Sequence, residues 1–132
     1  MLLPAKKTSA KIMRESQSIF IQIAESLKDK ILSAEYNVDE RIPSVRDIAV
    51  DVEVNPNTVM RAFELLQRDE LIYNKRGMGY FVAPGAPGKI IEERKERLKK
   101  SLLPALFKEM ALLKISIDEI VDAYKNYPKE AQ

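Results

Sequence analysis

Two helix starts lie so close together in this sequence that the helix between them has room for only about two turns. Ser44-Val45-Arg46-Asp47 resembles a capping box, with Asp47 in the place where Glu or Gln is better. Asn55-Pro56 is the clearer start. Asn accepts a backbone N–H that would otherwise lack a partner, and proline loses nothing at the first helical position. Val45, Ile48, Ala49 and Val52 form the apolar face of the short helix. The next helix runs from Asn55 to about Asp69, with Val59, Ala62, Phe63 and Leu66 on one face. Asn57, Met60, Arg61, Glu64 and Arg68 lie opposite. Two short helices joined by a turn of about three or four residues make a helix-turn-helix.

The flanks supply what such a unit packs against. Ser18 is placed to cap a first helix over residues 18–34, where Phe20, Ile23, Ala24, Leu27, Ile31 and Ala34 recur at helical spacing. Residues 35–43 break that pattern. Residues 71–74 and 80–83 read as two short strands, and Lys75-Arg76-Gly77-Met78-Gly79 turns between them as a hairpin wing. Residues 84–88, Pro-Gly-Ala-Pro-Gly, are expected to be a linker that closes a DNA-binding domain of residues 18–83. Residues 89–132 read as a helical segment, kinked or restarted near Pro104 and capped again at Ser116-Ile117-Asp118-Glu119, with a last helix ending near Tyr127. Residues 1–17, with Lys6, Lys7, Lys11 and Arg14, read as a loose arm.

Composition narrows the chemistry. The chain of 132 residues has no Cys and no His, which removes thiolate chemistry, the commonest general base and the commonest zinc ligand. No carboxylate cluster suggests an enzyme, and neither a metal nor a cofactor is expected. No apolar run approaches the roughly 20 residues of a membrane helix, and Met1-Leu2-Leu3-Pro4 is too short for a signal core, so a cytoplasmic protein is expected. The net charge is only +2, but no acidic residue falls between Leu71 and Ile91, where Lys75, Arg76 and Lys89 stand. A local positive patch of this kind can bind phosphate even on a nearly neutral chain.

The outer face of the third helix carries the most specific signal. Asn55, Asn57, Thr58 and Arg61 precede its first acidic residue, Glu64. Asn can pair with adenine and Arg with guanine or phosphate, and the start of the second helix of such a motif reaches base edges. A plain alternative stays open at this point: Asn55 simply caps and Asn57 simply meets water. Arg76-Gly77-Met78-Gly79 is open in the same way, as a cationic hairpin tip that enters a minor groove or as a solvated turn.

Taken together, Arg41-Ile42-Pro43-Ser44-Val45-Arg46-Asp47-Ile48-Ala49, Val54-Asn55-Pro56-Asn57-Thr58-Val59-Met60-Arg61-Ala62-Phe63 and Arg76-Gly77-Met78-Gly79-Tyr80-Phe81-Val82 resemble the DNA-binding domain of the GntR family of bacterial regulators. The Val-Asn-Pro-Asn-Thr-Val form and the short C-terminal part are similar to its YtrA subfamily. The resemblance implies a mostly α fold with a small β-hairpin wing, a winged helix-turn-helix followed by a short two-helix dimerisation segment. It implies that Arg46 contacts DNA, that Asn55, Asn57 and Thr58 enter the major groove with Arg61 in the basic recognition pattern, and that Arg76 and Gly77 approach the minor groove. Lys75 and Gly79 complete the expected wing contact. Met60 stands where Arg is frequent, and Glu70 where the family usually has glycine before Leu71-Ile72.

The segment after Ala83 is too short to enclose a metabolite readily, so an effector is left open without an indicated site. Its apolar residues are nevertheless too many for one hairpin to bury. A partner copy is expected to cover Leu102, Leu106, Met110, Leu113 and Ile120 in a twofold contact, which the subfamily resemblance also implies. The expected function is a dimeric repressor that binds an inverted-repeat operator, active in the cytoplasm on the nucleoid. The competing reading is a winged-helix adaptor that binds protein instead of DNA.

Overall fold

The computed structural model describes residues 18–129. The basic arm expected over residues 1–17 lies outside them. The described chain divides into two compact units, the first ending at Ile91 and the second beginning at Glu92.

The first unit is built on α1 (Ile19–Leu32), α2 (Val45–Val52) and α3 (Pro56–Arg68). Two of the three expected caps are made: Ser44 accepts from the Asp47 N–H at 3.1 Å, and Asn55 Oδ1 accepts from the Asn57 N–H at 2.7 Å. Ser18 holds the N-cap position of α1 without a capping bond from its side chain. Helix α2 ends at Glu53, whose left-handed backbone (φ 55°) turns the chain through Val54 into the cap at Asn55. The apolar stripe of α3 closes the core, with Val59, Ala62, Phe63 and Leu66 fully buried. Ile48 and Ala49 of α2 are buried as expected, whereas Val52, assigned to the same face, is 48 % exposed.

After α3 the chain turns through Glu70 at φ 60°, and the Leu71 N–H reaches the Leu66 carbonyl at 2.9 Å. This is the turn for which glycine is favoured. Glu70 keeps it at a backbone cost of about 1 kcal/mol. The wing follows as β1 (Ile72–Lys75) and β2 (Gly79–Val82), antiparallel, with Ile72 opposite Val82 and Lys75 opposite Gly79. Ile72 and Val82 enter the core, and the ring of Tyr80 meets Phe63 edge to face at 4.9 Å.

Two features depart from the sequence reading. Residues 39–42, taken only as a break in the helical pattern, lie along β2 as a third edge. The Ile42 N–H donates to the Tyr80 carbonyl at 2.9 Å, the Val82 N–H to the Glu40 carbonyl at 3.1 Å, and Arg41 bridges to Phe81. The linker expected over residues 84–88 is also not a linker, because α4 (Ala86–Arg97) begins inside it. Pro87 is tolerated in a first turn, where its missing N–H breaks no helical bond. Ala86 and Ile90, four residues apart, then fall on one face and are fully buried in the core of the first unit. The end of that unit therefore lies within the helix.

The second unit holds the rest of α4, a π-helical turn (Leu98–Leu102), α5 (Leu103–Leu113) and α6 (Ile117–Lys125). The disruption expected near Pro104 is this π turn. The Leu103 N–H reaches back five residues to the Leu98 carbonyl, and the widened turn accommodates a proline that cannot donate to the carbonyl four residues before it. Lys114, at φ 57°, ends α5, and Ser116 caps α6 by accepting from the Glu119 N–H at 3.2 Å. None of residues 92–129 is buried. Helices α5 and α6 make little contact with each other.

If α4 is anchored in the core, Ile90→Ala should lower unfolding free energy by about 2–5 kcal/mol. Its exposed neighbour, Ile91→Ala, should cost well under about 1 kcal/mol. Urea denaturation of the two variants checks this, and equal small effects would return residues 84–91 to linker status.

Candidate nucleic-acid interface

The site rests on the packing of α3 against α1 and α2, and on the contact of α3 with β1. Because the inner stripe of α3 is fully buried, its rotation about its own axis is fixed. Its opposite face is held outward. Asn57, Arg61, Glu64 and Arg68 are exposed there, while Thr58 and Met60 are half-buried. Arg68 lies 3.7 Å from Asp69, so the basic character at the C-terminal end of α3 is partly offset. The N-terminal half has no such neighbour. Its first turn contains no acidic residue, and the positive end of the helix dipole favours an anion there.

Two of the expected contact residues already have local partners. Asn55 spends its side-chain oxygen on the cap, and among the described residues its amide N–H₂ group has no hydrogen-bond partner. The Arg61 guanidinium lies 4.2 Å from the ring centroid of Phe20 on α1, an attraction between cation and ring face that restricts a flexible side chain. The sequence reading placed Phe20 in the core stripe only. It is half-buried and carries a second task as the platform for Arg61. Arg46 is exposed on α2 and forms no ion pair among the described residues.

The wing separates residues that the sequence reading grouped. Arg76, Gly77 and Met78 form its tip, with Gly77 at φ 78° and open space where a Cβ would stand. Lys75 is drawn back from that tip, its Nζ 4.6 Å from the centroid of Phe81 and 5.9 Å from that of Tyr73. Gly79 is needed for a different reason. Its backbone is at φ 111°, and a Cβ there would stand 3.0 Å from Nε of Arg41. Tyr73 stacks on Phe81 with centroids 5.7 Å apart and donates its hydroxyl to Asp39 Oδ1 at 2.9 Å. That hydrogen bond is the chief reason the hydroxyl titrates above the ordinary tyrosine value.

Leu102, Leu106, Met110, Leu113 and Ile120 belong to the second unit and take no part in this surface. Leu106 and Leu113 are exposed, and the other three are half-buried. Among the described residues, no group of acidic side chains is placed to hold a metal, and no helix is long and apolar enough to cross a membrane.

Comparison with known proteins places the whole arrangement. Residues 21–82 match the model of the gntR family of bacterial regulatory proteins. The HTH-type transcriptional regulator YhcF of Bacillus subtilis is 30% identical over 114 residues, which are 86% of this chain and 93% of that protein. The HTH-type transcriptional repressor YtrA of the same organism is 31% identical over 106 residues, covering 77% of this chain and 82% of its own length. A crystal structure of a GntR-family chain from Bacteroides thetaiotaomicron shares 48% identity and superposes with a TM-score of 0.65, over 82% of this chain and 94% of that one. With its helix-turn-helix, its wing and nearly the full length of these relatives in common, the chain belongs to the GntR family of DNA-binding transcriptional regulators.

Proposed function

We propose that the chain is a transcriptional repressor that binds an inverted-repeat operator as a homodimer. The observation that carries this reading is the outward face of α3, where Asn57 and Arg61 stand exposed beside an acid-free first turn. In this reading α3 lies in the major groove. Asn57, Thr58 and the free amide of Asn55 meet base edges, and Arg61 and Arg46 meet bases or phosphates. The wing tip, Arg76 and Gly77, enters the adjacent minor groove, with Lys75 and Gly79 behind it. Repression is supported by the similarity to YtrA, itself named a repressor.

Dimerisation is supported by the second unit. A helical segment with no buried residue has no core of its own. Leu106, Phe107, Leu112, Leu113, Ile117 and Val121 are all exposed in the single chain. Apolar surface left in water forgoes about 25 cal/mol per Å². A twofold copy removes that exposure and gives the bound DNA the same symmetry, hence the inverted repeat. A regulator of this kind works in the cytoplasm, where the nucleoid lies.

Selection of bound fragments from sheared genomic DNA by the purified protein tests the reading and yields the operator. Asn57→Ala should change preference at one half-site position by about 1–3 kcal/mol. Arg76→Ala should weaken sites with A·T-rich flanks most, because a narrow minor groove attracts the cation. Recovery of no enriched sequence by the wild type would leave the adaptor reading standing.

With on the order of 6–8 phosphates neutralised per dimer, affinity should fall roughly 10³- to 10⁴-fold between about 50 and 200 mM salt. Fluorescence anisotropy over that range measures it. A flat profile would remove the phosphate contacts from the account.

Leu106→Asp combined with Met110→Asp should give monomers that still fold in the first unit but bind the full operator poorly. Sedimentation equilibrium reads the assembly. A wild type that stays monomeric at micromolar concentration and still binds the palindrome at full strength would refute the dimer.

A further inference from the structure

We infer that Arg41, on the segment bridged to the wing, is a phosphate-binding residue, and that Gly79 is glycine in order to leave room for it. The inference rests on the DNA-binding reading above and adds a residue to it. Arg41 lies outside both the helix-turn-helix and the hairpin. The structure joins it to the wing through its bridge to Phe81 and through the neighbouring bond from the Ile42 N–H to the Tyr80 carbonyl. Its backbone is thus held directly against β2 of the wing.

The side chain is placed as well as the backbone. Nε of Arg41 packs over Gly79, 3.0 Å from where an ideal Cβ would stand, so that a larger residue there would crowd it. Gly79 is opposite Lys75 in the hairpin register, so Arg41 and Lys75 stand on either side of one strand. Both are exposed cations, and among the described residues neither forms an ion pair with a carboxylate. Asp39, two residues earlier, accepts the Tyr73 hydroxyl at 2.9 Å. No ion pair joins Asp39 to Arg41. An exposed guanidinium seated in a glycine notch, with the nearby acid occupied elsewhere, suits an external oxyanion. On a DNA-binding wing the oxyanion is a backbone phosphate.

A phosphate contact carries no sequence information but changes the salt dependence, by about 0.9 in the log–log slope for each phosphate. The test uses a mixed-sequence 30-bp duplex, titrated by anisotropy from about 50 to 200 mM salt, with the full-length protein. Arg41→Met keeps the apolar stem and removes the charge. It should weaken binding on the order of tenfold and lower the slope by about 0.9 per protomer, while thermal unfolding is unchanged. Arg41→Lys should retain the slope.

Gly79→Ala should weaken binding more in the Arg41 protein than in an Arg41→Ala background, because backbone strain at residue 79 is common to both and only the displaced guanidinium differs. A salt slope in Arg41→Met equal to wild type overturns the inference and leaves the DNA-binding reading intact. So does a slope lost equally in Arg41→Lys, or an additive cycle with Gly79→Ala. A wild type that does not bind the duplex at all overturns both.

Discussion

The inner face of α3 is the constraint on which the first unit depends. Val59, Ala62, Phe63 and Leu66 are all fully buried, and the helix that carries them packs on α1 and α2, touches β1 and meets β2 through the Phe63–Tyr80 ring contact. Close-packed interiors resist even small changes of volume, so a helix held on several sides cannot roll without disturbing all of them. The outward side chains need no device of their own to face a ligand. Their direction follows from the burial of their neighbours one turn away.

Finer placement comes from local bonds. Asn55 both starts α3 and fixes the first residues of its exposed face, since the N–H it accepts belongs to Asn57. Phe20 takes up the guanidinium of Arg61 from an adjacent helix. Recognition by side chains with several rotatable bonds is weakened by the entropy lost on ordering them. A ring platform and a cap hydrogen bond remove part of that loss before any DNA arrives. On the wing, Phe81 and Tyr73 do the same for Lys75.

Much of this was legible in the sequence because the signals are local. A hydroxyl or amide accepts from an N–H two or three residues away, and Ser44, Asn55 and Ser116 each do so in the folded chain. The helical stripes of α1 as far as Ile31 and of α3 were legible for the same reason, whereas Ala34, expected in the first stripe, is exposed beyond the end of α1 at φ 64°. What escaped depends on distant partners. Residues 39–42 are too short a run to show alternation, and they take up an extended, hydrogen-bonded path only because β2 offers an edge. The start of α4 was hidden by Pro87 and its flanking glycines, which punctuate loops in most settings. Its helical nature is decided by the core that Ala86 and Ile90 enter. Gly79 was legible as a turn residue, but the crowding by Arg41 that gives it a second reason cannot be read from spacing. At Glu70 the turn survives without glycine, so that departure from the family pattern leaves the hairpin's place in the fold unaltered.

The π turn at Leu98–Leu102 has a geometric effect on everything that follows it. Such a turn holds one more residue than its α counterpart, and one residue is worth about 100° of azimuth around a helix. Side chains from Leu103 onward are therefore set back by roughly that angle relative to an unbroken α-helix running through the same segment. A leucine that continuous 3.6-residue phasing would assign to one flank of the rod emerges on another. The direction in which Leu106 and Met110 present themselves is thus set by a turn that precedes both of them, and a one-residue insertion or deletion in this turn would re-aim the whole apolar stripe while leaving every residue of it unchanged.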